Sequence, residues 1–213
     1  MNLINQSKQL AHEAHDSIGQ VRKYTKEPYW VHTDAVAATV AEFGGSDEEV
    51  AAAHLHDYRE DVVPVLIKQG RMTELADFEA RFNSLPIEVR LLVNELTDKY
   101  TSESYPHWNR EKRKSAEAQR IAGIAEGAKL IKLADLFDNT KSIVGHDADF
   151  AVTYLKEKAR VLVHLNVNTL YYSVLAQLHA ANEVLQSNAL QAALNKARNP
   201  FVLTDLGYRG QKS

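Results

Sequence analysis

A chain of 213 residues, 45% apolar and 25% charged, is sized and composed for one folded domain, or one domain with an extension. Its formal net charge of −3 offers no basic excess for nucleic acid, and the absence of cysteine excludes a disulfide framework or a thiolate zinc site. The N-terminal stretch lacks the apolar core of a signal peptide, and no segment approaches the roughly 20 apolar residues of a membrane span; the reading is a soluble, cytoplasmic protein with no membrane partner.

Asn2–Ser17 patterns as a helix, with Leu3, Leu10 and Ala14 near one face. Gly19 and Pro28 punctuate a loop, Gly19–Tyr29, that concentrates Arg22, Lys23 and Lys26 with Tyr24 and Tyr29, and Trp30 follows. Cations beside aromatic rings can hold a phosphorylated aromatic ligand; a solvated loop anchored by its rings is the plainer alternative. Val31–Phe43 is an Ala- and Val-rich helix stopped by Gly44-Gly45, with His32 in its first turn. Ser46 or Asp47 caps the next helix, expected over Glu48–Asp61, which carries A-A-A-H-L-H-D-Y-R-E-D (Ala51–Asp61). On a continuous α-helix a step of four residues sets Glu60 over His56 and Asp61 over Asp57. A surface helix rarely needs that arrangement, whereas a metal site with acid–base groups beside it does. His54 lies about 200° around such a helix from His56 and reads as structural.

Pro64 marks a break or a new helical start. Thr73 is expected to cap a helix over Thr73–Phe82, and Pro86–Leu96 is expected to bury Ile87, Leu91, Leu92 and Leu96. A polar, aromatic loop, Asp98–Trp108, leads into a basic helix, Asn109–Ala125, with Arg110, Lys112, Arg113, Lys114 and Arg120, a pattern that solvated faces commonly show. Gly127 precedes A-K-L-I-K-L-A-D-L-F-D-N, a strongly apolar helix ended by Gly145. Asp135 sits within it between Leu133 and Leu136, and a carboxylate there is costly to bury unless paired or bound to metal. Asp138 and Asn139 share its face. Asp147 or Asp149 starts a long helical region reaching about Leu185 with at least one break, and Ser187-Asn188 precedes a last short helix before Asn199-Pro200. No strand-like alternation of useful length occurs; the class is all-α, a compact bundle of roughly eight to ten helices.

His32, His56, Asp57 and Asp135 together form a mixed nitrogen and oxygen set suited to Mn²⁺, Fe²⁺, Co²⁺ or Zn²⁺, with positions left for water and a phosphate oxygen. The competing reading is a pair of core histidines, and the His-Asp dipeptide itself recurs at His15-Asp16 and His146-Asp147. What sets the Ala51–Asp61 stretch apart is the Ala-rich run before it, the Glu-Asp pair after it, and a separate apolar helix carrying Asp135.

The order of four pieces carries a resemblance: R-K-Y-T-K-E-P-Y-W-V-H (Arg22–His32), A-A-A-H-L-H-D-Y-R-E-D (Ala51–Asp61), L-V-N-E-L-T-D (Leu92–Asp98) and K-L-I-K-L-A-D-L-F-D-N (Lys129–Asn139). The chain resembles the HD phosphohydrolase superfamily and, within it, the hydrolase domain of the RelA/SpoT homologue family, over about Gly19 to Val144. The resemblance implies a small stand-alone alarmone hydrolase with His32, His56, Asp57 and Asp135 as metal ligands and Mn²⁺ as the usual ion. It implies Glu60 and Asp61 as the pair that orients or deprotonates water, Arg22 and Lys23 as nucleotide contacts, Asn139 near the sugar, and Tyr29 shaping the pocket. The implied reaction hydrolyses the 3′-diphosphate of ppGpp or pppGpp to give GDP or GTP and pyrophosphate, with adenosine analogues as alternative substrates of the same reaction. Three positions depart from the family's usual pattern: Thr33 follows His32 in place of proline, Val62 follows Glu60-Asp61 in place of threonine, and Leu136 stands in place of arginine. The alternatives are an HD nucleotidase or phosphatase acting on another nucleotide, and an inactive nucleotide-binding regulator. Residues 1–150 read as the phosphohydrolase core and 151–213 as helices that pack on it or form a homo-oligomer contact.

Overall fold

The computed structural model describes residues 2–197. Within them the chain is all-α: α1 (Leu3–Ser17), α2 (Trp30–Glu42), α3 (Asp47–His54), α4 (Val63–Lys68), α5 (Met72–Asn83), α6 (Ile87–Leu96), α7 (Arg110–Ile121), α8 (Glu126–His146), α9 (Ala148–Leu162), α10 (Leu170–Leu185) and α11 (Asn188–Ala197). The loop before α2 is pinched by an isolated bridge between Val21 and Pro28. No described helix is long and apolar enough to cross a membrane. The expected stop at Asn199-Pro200 lies outside the described residues.

Helix α3 sits at the centre, against α1, α2, α6 and α8. Ala51, Ala52 and Ala53 are wholly buried there; three methyl side chains in a row let neighbouring helices approach closely on several sides. A capping box starts α3: Ser46 Oγ accepts from the Glu49 amide, and Glu49 Oε2 accepts from the Ser46 amide at 2.8 Å. The first turn of α8 lies against this cap, so close that a Cβ on Gly127 would fall 2.2 Å from Glu49 Oε1. Glycine there sets how near α8 comes to α3. Helices α9 and α10 pack along α8, α11 packs on α9, and Gln177 Nε2 donates to the Phe137 carbonyl at 3.1 Å to hold α10 in place.

The expected helix Glu48–Asp61 is broken. Helix α3 ends at His54, a turn follows, and Tyr58–Val62 form a π-helical turn in which the Val63 amide donates to the Tyr58 carbonyl. Pro64 stands in the first turn of α4. Having no N–H, it cannot bond back to the Glu60 carbonyl, and a wider turn absorbs the loss. Tyr58 anchors the turn: its ring is fully buried and stacks on Phe82, and its hydroxyl donates to Glu79 Oε1 at 2.9 Å. Two smaller expectations also fail, one wholly and one in part. Thr73 caps nothing: α5 begins at Met72, and Arg71 before it binds Glu74 and the Ser17 carbonyl instead. Helix α6 buries Val89, Val93 and Leu96 and packs Leu92 against the core, so half of the expected stripe holds while Ile87 and Leu91 stand about half exposed. Its sequence offers two apolar stripes, and its packing on α3 and α8 decides which one is inside.

Candidate metal centre and cleft

Four side chains from three elements converge where α2, the turn after α3, and α8 meet. His32 comes from the first turn of α2, His56 and Asp57 from the turn, and Asp135 from mid-α8. His56 Nε2 lies 3.0 Å from Asp57 Oδ2 and 3.9 Å from Asp135 Oδ1; His32 Nε2 lies 3.6 Å and 3.4 Å from the same two atoms. Ligand atoms of His32, His56 and Asp135 fall within 4.8 Å of one another, and all three residues are buried. Both Nε2 atoms are buried without a hydrogen-bond partner.

The other ring nitrogens explain why. His56 Nδ1 sits 2.8 Å from the Ala53 carbonyl, which can only accept, so Nδ1 keeps a proton and Nε2 is the nitrogen that can give up its own and offer a lone pair to a cation. His32 Nδ1 is 2.7 Å from Asp138 Oδ2, with the same consequence. Two such lone pairs beside two carboxylates fit a divalent cation. The local field favours positive charge at this spot, carried by protons when no metal ion is bound. Burial opposes charge on His56, yet Asp57 and Asp135 outweigh it and raise the imidazole to about 9. Burial likewise opposes ionisation of Asp57 and Asp135; His56 chiefly offsets it for Asp57, and Lys132 with His32 for Asp135, so both carboxyls stay well below the usual range.

Glu60 and Asp61 leave the π-turn in different directions and line the same cleft. Glu60 Oε1 accepts from the Asp98 amide at 2.5 Å, and burial, then the Asp98 charge, push its carboxyl up to about 7. Asp61 Oδ2 accepts from Gln20 Nε2 at 2.7 Å, and burial, then Asp57, raise it to about 6. These are carboxyls that can take and release protons near neutral pH.

The cleft has two lobes. One, of about 270 Å³, holds Asp57, Glu60, Asp61 and Asp135 with Lys114, Lys132 and Lys158. The other, of about 280 Å³, is lined by Arg22, Lys23, Tyr24, Ile143 and Phe150. Tyr29, Asn139, Tyr154 and Lys158 belong to both. Tyr29 donates to Asp57 Oδ2 at 2.7 Å. Asn139 bridges the lobes, donating to Asp135 Oδ1 at 2.5 Å and accepting from Arg22 Nη1 at 3.2 Å. Arg22 also pairs with Asp138 at 3.0 Å, whereas Lys23 is largely exposed and turned to Asp147 and Tyr24. A larger groove of about 1010 Å³ between α7, α9 and α11 contains none of these groups.

The sequence model of the HD domain family matches residues 8–170, the stretch that contains every one of these side chains. The chain belongs to the HD domain family. Over 144 residues it is 31% identical to a guanosine-3′,5′-bis(diphosphate) 3′-pyrophosphohydrolase of Aquifex aeolicus (strain VF5), an alignment covering 66% of this chain and 18% of that protein. The chain thus spans under a fifth of that relative's length. Among solved structures, one described as "a metazoan ortholog of SpoT hydrolyzes ppGpp and plays a role in starvation responses" superposes with a TM-score of 0.65 at 23% identity, covering 86% of this chain and 95% of the other. That likeness speaks for a shared HD-domain fold.

Several cleft residues escape a motif-based reading. Gln20 carries Asp61 and is itself held by His15 Nδ1 at 2.6 Å. Lys132 pairs with Asp135 Oδ2 at 3.1 Å, and Lys114 with Asp98 at 3.0 Å. Tyr154, Glu157 and Lys158 come from α9, a segment whose sequence shows only an amphipathic pattern. For Lys132 a signal exists: a lysine three residues before Asp135 inside an apolar helix needs a partner as much as the aspartate does. His54 is structural, buried 3.1 Å from Asp34 and lowered to about 4 chiefly by that burial.

Proposed function

We propose that this HD domain is a metal-dependent alarmone hydrolase, removing the 3′-diphosphate of ppGpp or pppGpp to give GDP or GTP and pyrophosphate. The observation that carries the reading is the pair of buried, unpartnered imidazole nitrogens facing two carboxylates at the floor of a cleft lined by both acidic and basic side chains. His32, His56, Asp57 and Asp135 would hold the ion, and the mixed nitrogen–oxygen set suits Mn²⁺. A divalent ion held there supplies Lewis-acid charge, acidifying water and neutralising phosphoryl oxygens.

The remaining chemistry belongs to the chain. Water attacks the 3′ α-phosphorus, the bond from that phosphorus to O3′ breaks, and the ribose oxygen leaves with a proton. Of Glu60 and Asp61, the ionised carboxylate takes the proton lost by water and a proton is returned from the pair to the departing ribose oxygen, an exchange that carboxyls near 6 and 7 carry out readily at neutral pH. Tyr29 holds Asp57 by its hydroxyl, and Gln20 holds Asp61. Arg22, Lys23 and Asn139 receive the nucleoside end in the second lobe, where Tyr24 and Phe150 supply ring surface. Because α9 lines the cleft, we assign that helix to the catalytic unit as well.

The test is a panel: purified protein with Mn²⁺ and ppGpp, its adenosine analogue, deoxynucleoside monophosphates and 3′-phosphorylated nucleotides. Pyrophosphate from an alarmone is expected; turnover of the monophosphates alone would transfer the domain to general nucleotidase chemistry. In steady-state kinetics on ppGpp, Arg22→Ala is expected to raise KM roughly 10-fold with kcat little changed, the mark of a binding contact. An unchanged KM would make Arg22 a partner of Asp138 and nothing more.

A further inference from the structure

Six cations line the two lobes, and five are already neutralised: Arg22 by Asp138, Lys23 by Asp147, Arg110 by Glu157, Lys114 by Asp98 and Lys132 by Asp135. Lys158 differs. No carboxylate lies within ion-pair distance of it among the described residues, and its one close partner is the face of Tyr154, 5.0 Å from the ammonium. It stands in α9 where the two lobes join, half-buried and open to both. Burial, then the Lys132 ammonium, push its pKa down; Asp135 and Asp98 act the other way but do not offset them. A half-buried ammonium with no direct ion pair, in a lobe whose carboxylates Asp135 and Asp98 already pair with Lys132 and Lys114, is placed to take an anion from a ligand.

We infer that Lys158 is the cleft's free anion-binding cation and takes a phosphate oxygen of the substrate at the junction of the lobes. This rests on the cleft being a nucleotide site. The contact favours ligands with a second phosphate group: the metal centre would serve the phosphate being cleaved, Arg22 and Lys23 face the nucleoside end, and Lys114 and Lys132 are paired with Asp98 and Asp135. Tyr154 backs the ammonium and fixes its direction.

The test is calorimetric titration of metal-free protein with ppGpp, GDP and inorganic pyrophosphate, comparing the natural chain, Lys158→Met and Lys158→Arg. Lys158→Met is expected to weaken ppGpp binding roughly 10- to 100-fold, the usual loss for a charge-assisted hydrogen bond. Lys158→Arg, which keeps the charge, is expected to stay within a few-fold. The melting midpoint of Lys158→Met should equal or exceed that of the natural chain, since a half-buried charge without an ion-pair partner is gone. A parallel loss with GDP assigns the contact to the 5′-phosphates, and a loss with pyrophosphate but not GDP assigns it to the 3′-diphosphate. Unchanged affinity for all three ligands, or a lower midpoint with unchanged affinity, overturns the inference. The two readings fail separately: protein that binds ppGpp through Lys158 without hydrolysing it refutes the proposed reaction alone. Hydrolysis with the same KM in Lys158→Met refutes the lysine's role alone.

Discussion

Replacing Asp57 by alanine is expected to abolish stoichiometric Mn²⁺ binding and turnover together. Asp57 Oδ2 is the carboxylate atom nearest His56 Nε2, and Tyr29 holds it in place. Losing an outer partner of a metal ligand already costs about 10- to 100-fold in affinity, and losing a ligand costs more. Metal analysis after dialysis measures this directly. Thermal unfolding gives an independent readout: Mn²⁺ at about 100 times its dissociation constant stabilises the native state by roughly 2.7 kcal/mol. The natural chain should therefore show a clear upward shift of its midpoint with Mn²⁺, and Asp57→Ala none. A variant that kept its metal and its shift would remove Asp57 from the ligand set.

Glu60→Gln separates chemistry from metal binding. Glu60 lies on the π-turn, bonded to the Asp98 amide and apart from the imidazoles. The variant is expected to bind Mn²⁺ as the natural chain does while kcat falls about 10²- to 10⁴-fold, the range for losing a positioned acid–base group. The sign of the pH dependence follows from the raised carboxyl. With a pKa of about 7, Glu60 is protonated below that pH and cannot accept a proton. The rate should rise with pH and level off once the group ionises. A bound cation favours the charged form, so the rising limb falls at or below about pH 7. In Glu60→Gln that limb should vanish, leaving the weaker dependence set by Asp61. Loss of metal in this variant, or an unchanged kcat, would refute the division of roles.

Much of the fold and the site is legible from residues alone. Helix α1, the loop before α2, α2 itself and the apolar helix around Asp135 follow directly from period, caps and breakers. His32, His56, Asp57 and Asp135, far apart in sequence, do lie together in space. The Ala51–Asp61 stretch shows the limit. Its helical periodicity is real up to His54, but Pro64 is only a few residues past His56, and its missing amide acts backwards on the chain. The acidic pair therefore reaches the cleft through a π-turn. Helix α9 shows a second limit. Lys158 looks like one more surface lysine on an amphipathic helix, and only the packing of α9 along α8 turns it towards Asp135 and the cleft. The Arg110–Arg120 charge run is similarly ambiguous until α7 meets α9, where Arg110 pairs with Glu157 and Lys114 faces the cleft.

The most direct measurement is a single incubation with Mn²⁺ and ppGpp in ¹⁸O-labelled water, with products resolved by mass. Attack of water at the 3′ α-phosphorus yields GDP and pyrophosphate in equal amounts, with one labelled oxygen in the pyrophosphate and none in GDP. Release of inorganic phosphate, label in the nucleoside, or no Mn²⁺-dependent turnover would contradict it.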